Sequence, residues 1–143
     1  MKQSKTLLIN TAFTYALLAM AGGVFYREFT KFSGFSGATT LSFVHTHLFL
    51  LGMVFFLLAA LFQMNVNLME HKNFKKFYFI YNIGVAITVI MLIVRGITQV
   101  QALELSRGLD AAISGISGIG HILVGIGMII YFLTLKKLIS EKK

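Results

Sequence analysis

Apolar positions gather into four long runs, at about 7–26, 41–64, 77–100 and 113–135, separated by short polar segments. Each run has the roughly 20 residues that a helix needs to cross about 30 Å of hydrocarbon. None shows two-residue alternation, all are too long for barrel strands, and the chain contains no proline. The pattern predicts an all-α, integral membrane, up-and-down four-helix bundle. It forms a single transmembrane domain over residues 1–143, with helices at about 7–27, 39–64, 77–101 and 111–136.

Composition agrees: 57% of residues are hydrophobic and only 13% charged. The net charge of +8 could suggest nucleic acid, but its distribution points to a membrane. Lys2, Lys5, Lys72, Lys75, Lys76, Lys136, Lys137, Lys142 and Lys143 all fall on one side of the four runs. The other side carries Arg27, Lys31 and Arg107, matched by Glu28, Glu104 and Asp110. The positive-inside rule then places both termini and the middle loop in the cytoplasm. Partners are therefore the lipid bilayer and whatever the spans hold, with no nucleic acid. The absence of cysteine excludes disulfides, thiolate metal sites and covalent haem attachment.

Met1–Ala21 imitates a cleavable leader, with a basic start and Ala19-Met20-Ala21 as a cleavage-like site. Asn10, Thr11 and Thr14 interrupt its apolar core, and the run continues past Gly23, so it is read as helix 1. Thr39 or Thr40 is a candidate cap for helix 2, and Asp110 for helix 4. His71 reads as a solvated loop residue.

Candidate chemistry lies in the remaining histidines. His45 and His47 fall in helix 2 and His121 in helix 4, and an ionisable side chain inside a membrane is by default a functional candidate. Residues two apart on a helix point about 200° away from each other, so His45 and His47 do not chelate one ion together. Counted from Thr39 and Asp110 at about 1.5 Å per residue, all three histidines share a layer about 9–16 Å below the outer helix ends. Helices 2 and 4 are expected as diagonal partners about 11–14 Å apart, a span suited to two imidazoles with iron between them and a porphyrin in the bundle core. Ala38, His45, Gly52 and Ala59 form a stripe of small residues that favours His45 as the helix 2 ligand. Gly118 and Gly125 share the face of His121, where a flat macrocycle needs cleared space; the alternative for these glycines is helix packing.

Arg95, inside helix 3, needs an anion that the spans do not visibly supply. Outward-directed haem propionates would meet it, with Arg27 as a second candidate and Gln99 sharing the contact; the alternative is snorkelling to headgroups.

The segment His45-Thr-His47-Leu-Phe-Leu-Leu-Gly52 resembles the His-x-His-Leu-x-x-x-Gly stretch of the catalytic subunit of nitric oxide reductases and related haem–copper oxidases. That resemblance implies His45 as the candidate ligand of a high-spin, reactive haem and His47 of a low-spin, electron-transfer haem, so the expected count is one haem b per protomer or two. The three-histidine copper or non-haem iron site of those enzymes has no counterpart here. The whole chain is also similar to small four-helix bacterial membrane proteins of unknown function, which implies the bacterial cytoplasmic membrane.

The expected function is that of a membrane-bound b-type haem protein with axial histidines from helices 2 and 4. It would serve electron transfer or the binding or reduction of a small gas such as NO or O₂, so an oxidoreductase role is open. Alternatives are a bare histidine metal site using His45, His47 and His121, a small transporter, or an accessory subunit. A homodimer through the glycine faces of helix 4, or a redox partner, is also consistent with the pattern.

Overall fold

The computed structural model describes residues 6–141. Lys2, Lys5, Lys142 and Lys143 of the charge count, and the first five residues of the leader-like segment, lie outside the described residues. Four long helices account for almost all of the rest: α1 (Leu7–Phe32), α2 (Ser42–Asn65), α3 (Phe74–Val100) and α4 (Arg107–Ser140). No strand occurs among the described residues. Each helix is long and apolar enough to cross a membrane. Large apolar side chains also face outward on every one of them, including Phe13, Leu50, Phe79 and Ile122.

Two helices overrun the apolar runs. α1 continues to Phe32 and carries Arg27 and Glu28 in its last turns. α4 begins at Arg107, where the Ser106 hydroxyl accepts the Leu109 N–H at 3.3 Å, so the cap is Ser106 and Asp110 lies within the first turn. α2 is not a uniform α-helix. Leu48–Val54 form a π-helical stretch between α-helical segments Ser42–His47 and Phe55–Asn65, directly after the paired histidines.

The helices alternate in direction. α1 and α2 meet where Gly22 faces Val44 and Gly52 faces Tyr15. α3 and α4 meet where Gly84 lies on the Val124 backbone, Gly120 on Thr88 and Gly127 on Tyr81. Gly84, Gly120 and Gly127 let the α3 and α4 backbones approach to a distance that a methyl group would forbid, whereas Gly52 makes room for the Tyr15 side chain. α2 joins α3 through Thr39, whose hydroxyl donates to the Gly96 carbonyl at 3.1 Å, and Thr40, whose hydroxyl donates to the Leu92 carbonyl at 2.8 Å. Thr39 also serves its own helix, its hydroxyl accepting the Leu41 N–H at 3.3 Å at the start of α2, whereas the Thr40 hydroxyl is given to α3. α1 joins α3 through Thr11–Tyr78 and Tyr15–Asn82 hydrogen bonds, both 2.7 Å.

The core is aromatic and full. Phe56, Phe74, Phe77 and Tyr81 are fully buried, and Phe55 stacks on Tyr81 at 4.3 Å between centroids. Phe55 of α2 and Tyr131 of α4 also touch, at 5.0 Å, and both pack on Phe77 of α3. α2 and α4 therefore meet over α3 at this aromatic layer. Phe55 stands eight residues beyond His47 and Tyr131 ten beyond His121, so this aromatic packing fills the bundle at a different layer from the histidines.

Candidate functional site: a pair of imidazoles between the second and fourth helices

The structure brings His47 and His121 together and leaves His45 elsewhere. The His47 and His121 rings lie 6.2 Å apart between centroids, with planes at 88°. Each ring is held by its own helix. His47 Nδ1 lies 2.8 Å from the Phe43 carbonyl, and His121 Nδ1 lies 2.8 Å from the Ser117 carbonyl. A carbonyl can only accept, so both Nδ1 atoms carry the proton, and in the neutral ring Nε2 keeps its lone pair. This is the tautomer a metal-ligating histidine adopts when a backbone carbonyl orients it. With both Nε2 atoms directed at one ion, two metal–nitrogen bonds of about 2.0–2.1 Å and two imidazole radii of about 1.1 Å would span about 6 Å, close to the centroid separation.

The space beside the pair is open on one side. Cβ atoms built at Gly115, Gly118 and Gly125 would meet nothing within 4 Å, whereas those at Gly84, Gly120 and Gly127 would strike the facing helix. The glycines of α4 thus divide by task. Gly120 and Gly127 bind α3, while Gly118 and Gly125 leave a clear surface on the face of His121. That face is exposed, at the edge of the bundle.

His45 turns toward α1, where a Cβ on Gly23 would lie 3.7 Å from His45 Cβ. Its Nδ1 is buried and has no hydrogen-bond partner among the described residues. The small-residue stripe that favoured His45 is a packing surface for α1: Gly52 lies under the Tyr15 ring and Ala59 is fully buried. Glycine makes room for a tyrosine as readily as for a macrocycle, and here it is the tyrosine. Gly52 is accordingly remote from any cleared space.

Arg95 finds its anion inside the protein. Its Nη1 donates to the Asp110 carboxylate, and its Nη2 donates to the Ser114 hydroxyl at 2.7 Å and the Asp110 carbonyl at 3.2 Å. Asp110 was expected at the helix boundary; the extra turn of α4 brings it beside Arg95. Propionates are no longer needed to balance this charge. Arg27 is highly exposed and pairs with Glu28 at 3.0 Å. Gln99 Oε1 accepts the Thr40 N–H at 2.8 Å, tying the end of α3 to the start of α2.

Around that tie, Arg95, Thr98, Gln99, Leu103, Leu105 and Asp110 line a depression of about 250 Å³. Sequence reasoning noted Arg95 and Gln99 but missed the leucines and Asp110, which reach the site through the α3–α4 turn. Ala102 closes α3 in the left-handed conformation, with φ 49°, and Leu103 N–H returns to the Thr98 carbonyl at 3.0 Å. No group of three or more His, Cys, Asp or Glu side chains suited to a metal ion occurs among the described residues.

Fold and site together define an all-α protein of four long apolar helices with two opposed imidazoles between the second and the fourth. The chain belongs to the family described as "Protein of unknown function (DUF2871)", whose family model matches residues 5–138. No curated protein and no solved structure matches the chain.

Proposed function

We propose that the protein is a membrane-bound b-type haem protein, with one haem per protomer ligated by His47 and His121. It sits in the cytoplasmic membrane with both termini inside, which the lysine distribution and the outward-facing apolar side chains support. The observation that carries the haem reading is the pair itself. Two rings with Nδ1 pinned to backbone carbonyls keep Nε2 as the free nitrogen, at a separation that suits one metal centre.

The residues fit a macrocycle at the edge of the bundle rather than in its core. Gly118 and Gly125 leave clear surface on the His121 face, and a ring there would cover apolar side chains now exposed, such as Leu50 and Ile122. Bound there, haem would supply one-electron chemistry. His47 and His121 would both hold its iron, which would favour electron transfer over gas binding, and burial would set the potential. A second, reactive haem on His45 is not part of this reading, since that side chain lies against Gly23 of α1.

The test is haem content. Protein purified in mild detergent from cells supplied with a haem precursor should carry about one non-covalent haem b per chain, scored as the pyridine haemochrome. Colourless protein holding one equivalent of a transition metal would reassign the pair to a bare ion. Protein with neither would leave the accessory-subunit reading.

A further inference from the structure

The depression at the Arg95 end has a chemistry of its own. Its charge is balanced, because Arg95 is paired with Asp110; an anion arriving there gains no free cation and meets a carboxylate. Its polar edge offers both halves of a hydrogen-bonding pair. The Asp110 side chain is 55% exposed and can accept. Gln99 spends its oxygen on Thr40 and keeps its amide N–H groups to donate. Leu103 and Leu105 supply apolar walls. A neutral, flat molecule with one hydroxyl to give and one oxygen to be bound suits this lining.

Its position is equally specific. Thr40, bonded to Gln99, stands seven residues before His47, and Ser114, bonded to Arg95, stands seven before His121. By both helices the floor of the depression is about 10 Å from the imidazole pair. The cavity falls just under the roughly 300–1,000 Å³ of small-molecule pockets, enough for a head group whose tail stays in lipid.

We propose that this depression docks the head group of a membrane quinol, the electron donor to the centre held by His47 and His121; the donor role rests on the haem reading above, whereas docking does not. The Asp110 carboxylate accepts a hydrogen bond from one quinol hydroxyl, and both hydroxyls release their protons to water. Haem held by His47 and His121 would take the two electrons one at a time, a one-electron acceptor reoxidising it between them, and the product is the quinone. Gln99 donates to the oxygen that Asp110 does not hold.

Docking is read by photolabelling with an azido-naphthoquinone in phosphatidylglycerol–phosphatidylethanolamine nanodiscs. The label should fall within residues 98–110 and be displaced by menadione. Gln99→Leu, and Leu103→Trp at an exposed position that the fold does not depend on, should each lower it about ten-fold, the loss of one hydrogen bond or of the apolar wall. Label elsewhere, label indifferent to both variants, or displacement by added phosphatidylglycerol but not by menadione would overturn the proposal. Menadiol should reduce the wild-type haem about ten-fold faster than that of either variant. Displaceable label on a protein without haem would keep docking and remove the donor role along with the haem reading. Haem without such label would remove docking alone.

Discussion

His47 and His121 stand perpendicular across the gap between α2 and α4, and each gives its Nδ1 proton to a carbonyl one turn back on its own helix. The two rings are thus oriented before anything binds. A polar ring placed at the apolar edge of a bundle is costly unless it is used, and two of them facing each other share one use.

The glycines of α4 give the first separation of packing from binding. Gly84→Ala would drive a methyl group into the Val124 N–H and the Gly120 carbonyl, so destabilisation by about 1–3 kcal/mol is expected in a mixed-micelle unfolding titration. Gly118→Leu meets open space and should leave the same titration within about 0.5 kcal/mol of wild type, while haem content falls sharply.

The π-helical stretch after His47 holds a contact with α3: the Tyr81 hydroxyl donates to the Leu51 carbonyl at 2.9 Å, inside the stretch. Tyr81→Phe keeps the ring stack on Phe55 and removes only this bond. A loss of about 0.5–1.5 kcal/mol in the unfolding titration is expected, with retained helical circular dichroism.

Arg95 and Asp110 should be energetically coupled. Side-chain exposures of 24% and 55% make this a pair at the rim rather than in the interior. A double-mutant cycle with Arg95→Leu and Asp110→Asn should return a coupling of about 1 kcal/mol that shrinks as salt is raised. No coupling would mean that Arg95 has another anion.

Ala102 adopts a conformation that favours glycine. Ala102→Gly should therefore stabilise the α3–α4 turn by about 0.5–1 kcal/mol, seen as a higher midpoint in the same titration. A lower midpoint would show that the methyl group contributes packing that outweighs its strain.

Much of this was legible in the apolar pattern. Four runs of sufficient length give four helices, and the histidine spacing marked α2 and α4 as the helices to compare. The choice between His45 and His47 was not legible, because a stripe of small residues looks the same whether it clears space for Tyr15 or for a cofactor. The π-helical Leu48–Val54 stretch compounds this, since its hydrogen bonds skip five residues and rotate the lower half of α2 out of a 3.6-residue register. Asp110 was missed as the partner of Arg95 for a different reason: hydrophobicity started α4 near 111, although Ser106 carried the capping signal. The uses of the α4 glycines could be separated only with α3 in place.

The central claim is most directly tested by oxidised and reduced optical spectra of wild type beside His45→Ala, His47→Ala and His121→Ala. The account predicts a six-coordinate, low-spin b-type spectrum that survives loss of His45 and is abolished or converted to high spin by loss of either His47 or His121. A tetrapyrrole spectrum indifferent to His47 and His121, or none in the wild type, would contradict it.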